Sequence, residues 1–239
     1  MIPEDHPRYH SLSVRESLAK ATKTGLVSPE GLAAHGRGEA FDYLLGEQTT
    51  KSASLAEQIA GRLLLSAERP VISVNGNAAV LAAEAIAELQ DASGAAVEVN
   101  LFHRTEERVR LITDHLRDHG VDVLTGVYER LVPLAHDRGL CLAGGIGSAD
   151  LVLVMLEDGD RCEALRKMGK IVIAIDLNPL SRTAKAATLP IVDELTRALP
   201  AVTAACRKER PGSLPELAAV IDNHKFLTDA LREMRQRLV

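Results

Sequence analysis

The chain has 239 residues, 46% of them hydrophobic, and carries 28 basic and 33 acidic side chains, for a formal net charge of −5. This length allows one large domain or two small ones, while the negative charge and the scarcity of aromatics (three Phe, three Tyr, no Trp) argue against a nucleic-acid partner. Three isolated cysteines without a CxxC pair, and the lack of any apolar stretch of about 20 residues, predict a reducing, cytoplasmic location and no membrane anchor.

The first 67 residues carry only helical patterns. Helices are predicted from Ser13, in a capping box with Glu16, to Gly25; from Ser28 onward; over 39–45; and over 50–67. Gly36 and Gly38, on either side of Arg37, lie between the second and the third of these predicted helices. They are consistent with a bend that aims the guanidinium at a ligand, and equally with a plain turn between helices.

From residue 70 onward, short β-branched runs alternate with helical stretches. This alternation predicts an α/β fold, namely a Rossmann-like open, mostly parallel sheet with helices on both faces, preceded by the N-terminal helical region. The predicted strands are 71–74, 97–101, 121–124, 151–156, 171–175 and 189–192, and the predicted helices are 78–91, 105–118, 160–168 and 194–207.

The chain is predicted to form one structural unit in three parts. Residues 1–67 are the helical region packed on the core, 68–208 the Rossmann-like nucleotide- and substrate-binding core, and 209–239 a C-terminal helix. The segment 126–148 has little pattern. The apolar face of the tail helix, predicted over 214–238, can pack on its own chain or across a dimer.

Ligands of an open parallel sheet bind beyond the carboxyl ends of its strands, and here polar residues follow four of them. Those residues are Asn75-Gly76-Asn77, then Asn100 with His103 and Arg104, then Glu157-Asp158-Gly159-Asp160-Arg161, and finally the run from Asp176 to Thr183. Neither GxGxxG nor a P-loop occurs, so no conventional nucleotide motif is present. The Arg-rich basic set, 20 Arg against eight Lys, nevertheless favours small anionic ligands.

Three of these strand ends have two interpretations. The Asn75 tripeptide attracts an anion to a helix N-terminus or simply caps it, and on the tripeptide alone the cap is favoured. The crowded carboxylates after the fourth strand hold a magnesium ion or a substrate ammonium, or merely complement a helix dipole; Arg161 favours a functional role because a basic residue opposes that dipole. In the last loop, Asp176 or Asn178 suits a ribose, and Arg182 with Thr183 suits a phosphate. The alternative is an Asx-Pro turn at Asn178-Pro179, which explains those two residues but not Arg182 and Thr183.

Several strings in collinear order resemble one known family. They are HGRGEAFDYLLGE (35–47), PVISVNGN (70–77), EVNLFHRTEERV (98–109), LEDGDRCEAL (156–165) and IAIDLNPLSRTA (173–184). Together they are similar to the archaeal phosphopantothenate synthetases, the 4-phosphopantoate–β-alanine ligases of coenzyme A biosynthesis. The likeness runs over roughly residues 5 to 200.

The resemblance implies a homodimeric, Rossmann-like, ATP-dependent ligase. ATP would activate the carboxylate of 4-phosphopantoate as an acyl-adenylate with release of pyrophosphate, and β-alanine would then displace AMP to give 4'-phosphopantothenate. The residues implied for ATP are Arg15, Arg37, Asp176, Leu177, Asn178, Arg182, Thr183, Asp193, Glu194 and Leu195.

Combining this chemistry with the strand ends assigns the remaining roles. The predicted catalytic residues are Arg161, Glu157, Asp158 and Asp160, with Asp158 and Asp160 as Mg²⁺ ligands; the predicted substrate-binding residues are His35, Asn75, Gly76, Asn77, Asn100 and Arg104. Two other hypotheses stay open on the same sheet: an NAD-dependent oxidoreductase, and a module that binds a nucleotide without turning it over.

Overall fold

A computed structural model of the protein describes residues 2–238. Its N-terminal region consists of three helices, α1 (Tyr9–Thr24), α2 (Pro29–Leu45) and α3 (Lys51–Ser66). Ser28 and Thr50 cap the second and third of them, since each hydroxyl accepts a hydrogen bond from a first-turn amide.

Two details of the predicted helical region are wrong. Ser13 and Glu16 do not form a capping box, because α1 begins four residues earlier and contains both. The predicted break at residues 35–39 is absent, because α2 continues through Gly36 and Gly38. Isolated glycines weaken a helix by only about 1 kcal/mol each, and the burial of His35 and Glu39 against neighbouring elements outweighs that cost.

The core is a five-stranded parallel sheet in the order β2-β1-β5-β6-β7. Its strands are β1 (Pro70–Val74), β2 (Ala96–Val99), β5 (Leu151–Met155), β6 (Ile171–Ile175) and β7 (Leu189–Ile191), while β3 (Tyr128–Arg130) and β4 (Leu140–Leu142) form a separate hairpin. The chain places β2 on one side of β1 and, later in the sequence, β5 on the other side of β1. The strand order therefore reverses between β1 and β5, which is where an open α/β sheet leaves a crevice.

Helices lie on both faces of the sheet, because successive side chains of each strand point to opposite faces and both sets are apolar. They are α4 (Gly76–Ser93), α5 (Glu106–Asp118), α6 (Gly159–Lys167), α7 (Arg182–Ala186) and α8 (Leu195–Lys208). Ile72, Leu153 and Ile173 pack with α3, α4, α5 and α8 on one face. Val152 and Val172, one position along the strands, pack with α6 and the hairpin on the other. The predicted open α/β sheet with an N-terminal helical region is confirmed.

The predicted strand at residues 121–124 is wrong, because only one bridge, Val97 to Val123, joins this segment to the sheet. The patternless stretch 126–148 contains the β3–β4 hairpin, whose connection includes a 3₁₀ turn at Asp137–Gly139, and then a π-type turn at Ala143–Gly147. Strands of three residues are too short to display a period in the sequence.

The tail is two helices rather than one, α9 (Leu214–Ala219) and α10 (Asn223–Arg237). Helix α10 buries Leu227, Ala230 and Met234 on its own chain, in a cluster with Leu45 and Leu177. Part of the tail thus supports the loop that follows β6. No helix among residues 2–238 is both long and apolar enough to cross a membrane.

The contact between α3 and α8 requires a residue without a side chain at position 61. A Cβ atom on Gly61 would lie 2.6 Å from the Ala205 Cβ and 2.8 Å from the Cys206 backbone nitrogen, whereas a Cβ on Gly36 would meet nothing within 4 Å. We expect Gly61→Ala to lower the free energy of unfolding by about 1–3 kcal/mol through overpacking. The matched change Gly36→Ala should raise it by up to about 1 kcal/mol, as an open helical glycine does. Urea unfolding of both variants measures this, and a Gly61→Ala protein as stable as Gly36→Ala would contradict it.

Candidate functional site

A cleft of about 650 Å³ opens at the carboxyl edge of the sheet, across the point where the strand order reverses. The ends of β1, β5 and β6 and the beginnings of α4 and α6 form its floor, and α2 forms a wall. Predicted site residues that line it are His35, Arg37, Asn75, Gly76, Asn77, Glu157, Asp158, Asp176, Leu177, Asn178, Arg182 and Thr183.

Asn75 and Asn77 hold the floor of the cleft together. The Asn75 Oδ1 atom caps α4 by accepting from the Ala78 amide at 3.0 Å, and its Nδ2 donates to the Met155 carbonyl at 2.7 Å, which bridges β1 and β5. Asn77 Nδ2 donates to the Gly31 carbonyl at 2.8 Å and ties α4 to α2. Both amides are used structurally, so what the tripeptide can offer a ligand is the backbone N–H groups of the first turn of α4.

Glu157 is the buried centre of the acidic loop after β5, with a side chain only 2% exposed. It pairs with Arg138 at 3.1 Å and with Arg161, whose own side chain is fully buried and also donates to Ser73 Oγ at 3.1 Å. Arg161 points beneath the sheet edge and is not among the cleft-lining residues. The structure therefore brings Arg161 to the site as the partner of Glu157, one layer below the cleft.

Asp158 and Asp160 are half-exposed, and each already has a basic partner. Asp158 accepts from Arg138 Nε at 3.0 Å and lines the cleft. Asp160 lies 2.9 Å from His136 Nε2 and does not line it. Burial alone would raise the pKa of Asp160, but the hydrogen bond and charge of His136 together with backbone amides lower it.

The loop after β6 is held by its own side chains. Asp176 accepts from the Asn178 amide at 2.9 Å and from Ser181 Oγ at 2.5 Å, and burial raises its pKa despite these bonds and the nearby Arg37 charge. The predicted irregular loop is shorter than expected, since Ser181 caps α7, which begins at Arg182. Thr183, buried, donates to the Glu157 carbonyl at 2.6 Å and so fixes the loop to the end of β5.

The other residues that the resemblance assigns to ATP lie beside a second, much smaller cavity. Its lining includes Glu39 and Glu194, and it shares His35 and Leu177 with the main cleft. Arg15 reaches this region through an ion pair with Glu39 at 2.6 Å. Nearby, Asp193 pairs with Arg197, Glu194 caps α8, and Leu195 is buried in the core.

Asn100 and Arg104 lie outside the main cleft. Asn100 is buried and donates to the Leu140 carbonyl at 2.8 Å, which anchors the hairpin to the end of β2. The Arg104 guanidinium lies over the Tyr128 ring at 3.8 Å. Arg108, one helical turn further on, lines the cleft instead, close to Gly76.

Residues to which the sequence analysis gave no role in the site also line the cleft, and they come from three other segments. Arg138 comes from the hairpin connection, Phe102 and His103 follow β2, and Ser28 with Gly31 opens α2. A buried acid outside the cleft lining also carries a sequence signal, because Glu98 stands between two valines in a buried strand. Burial raises the pKa of Glu98 to about 7, although the Ile146 and Leu142 amides and two arginines oppose that rise.

Glu57 is a further buried acid with a raised pKa, and it lies next to Asp193, near the small cavity. Burial and the adjacent Asp193 carboxyl both raise the pKa of Glu57, while Arg197 opposes the rise.

For metal binding, no group of three His, Cys, Asp or Glu side chains within residues 2–238 is arranged to hold an ion. A magnesium ion with few protein ligands, held chiefly by substrate phosphates, is the form compatible with this site.

The comparisons with known proteins agree with one another. The family model described as phosphopantothenate/pantothenate synthetase matches residues 52–237. A protein of Methanospirillum hungatei named 4-phosphopantoate–β-alanine ligase is 60% identical over 239 residues, covering 100% of this chain and 98% of the relative. Two relatives of the same name are also similar: one from Methanosarcina mazei is 52% identical over 99% of this chain and 95% of the relative, and one from Thermococcus onnurineus is 48% identical over 99% of this chain and 93% of the relative. The chain therefore belongs to the phosphopantothenate/pantothenate synthetase family and is a ligase.

Proposed function

We propose that the protein condenses 4-phosphopantoate with β-alanine, using ATP and Mg²⁺, and releases AMP and pyrophosphate by way of an acyl-adenylate. The observation that carries the proposal is the concentration of Arg37, Arg108, Arg138 and Arg182 around one cleft in a chain of net charge −5. The names of the relatives support the choice of substrates.

The first step joins two anions, so its barrier is partly electrostatic. A carboxylate oxygen of 4-phosphopantoate attacks the α-phosphorus of ATP, and the bond to the departing pyrophosphate breaks. Arg37 and Arg182, on either side of the Asp176 loop, would bind the phosphates and stabilise the charge that develops on the leaving group. Asp158, one of the carboxylates that line the cleft, would be the protein ligand of an ATP-bound Mg²⁺ ion, and that ion would neutralise further phosphate charge.

4-Phosphopantoate, the second anion of this step, needs its own binding position in the same cleft. The first-turn amides of α4 at Gly76 and Asn77, beside Arg108, would hold 4-phosphopantoate at the β1 end. Asp158 would bind either the Mg²⁺ ion or the β-alanine ammonium, since each of these cations needs a carboxylate that is exposed to the cleft. Asp176, Leu177 and Asn178 would hold the nucleoside, with Arg15 and the segment Asp193–Glu194–Leu195 contributing from the side of the small cavity.

Product analysis tests the adenylate directly. With ATP–Mg²⁺, 4-phosphopantoate and β-alanine, we expect AMP and pyrophosphate in equal amounts with the amide product. Without β-alanine, we expect exchange of labelled pyrophosphate into ATP that depends on 4-phosphopantoate. Formation of ADP and phosphate would contradict the adenylate route, and ATP binding without turnover would indicate a nucleotide sensor.

Arg182 offers a test that separates ligand binding from stability. Its side chain is 65% exposed and its ion pair with Glu163 is a surface pair, worth at most about 1 kcal/mol. We expect Arg182→Ala to lower kcat/KM for ATP roughly 10- to 100-fold, as the loss of a charge-assisted phosphate contact does, with little change in stability. The matched control is Arg207→Ala, which removes an exposed Arg–Glu pair away from the cleft. Equal kinetics in the two variants would argue against the assignment.

Substitution of Arg161 tests whether this residue is only the buried partner of Glu157 or contacts ATP directly. We expect Arg161→Ala to lower the free energy of unfolding by about 3–5 kcal/mol, because it removes one partner of a fully buried pair. At equal concentrations of folded enzyme, AMP formation should be reduced far less than by Arg182→Ala. Urea unfolding and an AMP assay measure both effects. A stable Arg161→Ala protein that no longer forms AMP would restore Arg161 to direct catalysis.

A further inference from the structure

A glutamate lies on the buried face of α3. Glu57 is only 2% exposed. The residues one turn away on the same face are small and apolar, namely Ala53 and Ala60. The Oε1 atom of Glu57 is buried, and within residues 2–238 it has no hydrogen-bond partner. A carboxylate in such surroundings is costly unless it is protonated or paired, so packing alone does not explain this residue.

Glu57 belongs to a buried cluster that holds more acids than bases. Its carboxyl lies beside that of Asp193, within reach of a hydrogen bond. Arg197 pairs with Asp193 at 2.6 Å and with Asp42 of α2 at 2.5 Å. Three carboxyl groups thus share one guanidinium, and two carboxyls side by side do not both ionise readily. Glu57 and Asp193 therefore retain one proton between them.

The hydrogen bonds of Asp193 place that proton on Glu57. Asp193 Oδ2 accepts from Thr49 Oγ1 at 2.5 Å, and its Oδ1 accepts from the Glu194 amide at 2.7 Å and from Arg197. Donors of this kind stabilise the ionised form of a carboxyl. For Glu57, burial and the neighbouring Asp193 carboxyl raise the pKa to about 8, against the opposing charge of Arg197. A protonated Glu57 has one O–H group to donate, and the Asp193 carboxylate is the acceptor beside it.

Asp193 connects this cluster to the small cavity beside the main cleft. Its bond to the Glu194 amide fixes the backbone that leads into α8, and Glu194 lines the cavity. Through Arg197, Asp193 also holds Asp42, which lines the same cavity from α2. The Asp193 side chain is itself fully buried. It can therefore act on a ligand only through these two neighbours.

We propose that Glu57 is a positioning residue for ATP, which donates a hydrogen bond to Asp193 and so keeps Glu194 and Asp42 in the arrangement that binds the nucleoside. The inference rests on the proposed function, in which the segment Asp193–Glu194–Leu195 contributes to nucleoside binding. Ionisation of Glu57 would set two buried carboxylates against each other and weaken the bonds that Asp193 makes. ATP binding should therefore weaken as the pH rises through the pKa of Glu57, while the turnover of bound ATP changes little.

The other charges around the cluster do not titrate with Glu57. From α4, α9, α10 and β7, which also pack against α3, no charged group within the described residues shifts the pKa of Glu57. Two histidines lie further out: His10 is 3.5 Å from Glu194, and His35 lines the small cavity. Burial lowers the pKa of His35, so its ring is uncharged throughout the alkaline range. Phosphate groups complete their ionisation near pH 6, and the charge of ATP is therefore constant there as well.

Direct measurement of ATP binding against pH tests the proposal. In the wild type we expect the calorimetric Kd of ATP–Mg²⁺ to rise about 10-fold for each pH unit above the pKa of Glu57, because only the protonated form binds well. KM for ATP should follow Kd, and kcat should not change. Glu57→Gln keeps a donor for Asp193 without a titrating group, so it should bind ATP normally at neutral pH and lack the alkaline weakening. The control Glu88→Gln, at an exposed position of α4, should retain it.

Glu57→Leu provides a second variant, because it removes the donor. It should raise the Kd of ATP about 10- to 100-fold at every pH, as the loss of a hydrogen bond to a charged group does. Glu98, the other buried acid with a raised pKa, is intact in both variants and cannot account for a weakening that Glu57→Gln abolishes.

Three results would overturn the proposal: ATP binding by the wild type that does not change with pH, alkaline weakening that persists in Glu57→Gln, or a fall in kcat in place of the rise in KM. A wild-type protein that binds no ATP at any pH would overturn the proposed function and this inference together. ADP as the product, with the alkaline weakening present and abolished in Glu57→Gln, would overturn the adenylate route alone and support the role of Glu57.

Discussion

The arrangement of the cleft depends on one buried ion network, in which Glu157 lies between Arg161 and Arg138. Both arginine side chains and the carboxylate are almost fully excluded from water. Taking charges out of water is expensive unless they are paired. Glu157 is the shared partner of both guanidinium groups, while Nε and Nη2 of Arg161 are buried without a hydrogen-bond partner. The network consequently fixes three parts of the chain against one another: the end of β5, the start of α6 and the hairpin connection.

The network also determines how much negative charge the acidic loop after β5 presents to a ligand. Arg138 spans Glu157 and the more exposed Asp158, and His136 reaches Asp160, so two bonds dock the hairpin onto the first turn of α6. These partners cancel much of the negative charge that the acidic loop would otherwise present to an anion. An acid-rich loop thereby becomes compatible with ATP and a phosphorylated carboxylate in the same cleft. Crowded carboxylates need cations nearby, and here the protein supplies most of them itself.

The sheet and its helices could be predicted because a buried parallel strand is a continuous aliphatic run and a covering helix has a 3.6-residue period. Ile171–Ile175 was predicted to the residue for this reason. Local signals failed where tertiary contacts decide the outcome. Helix α2 continues through Gly36 and Gly38 because His35 and Glu39, on either side of them, are buried. The β3–β4 hairpin is held in position by hydrogen bonds of Arg138, Asn100 and Tyr128, and its sequence has no period that predicts it.

For the site, position along the sequence predicts the edge of the sheet but not the direction of a side chain. Arg104, Arg161 and Arg182 all follow strand ends, yet the first lies on Tyr128, the second lies under the sheet edge, and only the third lines the cleft. Direction depends on helical phase and on which partner is within reach, and both are properties of the folded chain. Arg138 lacks even the positional signal, because its segment carries no period; only its pairing with Glu157 and Asp158 brings it to the cleft.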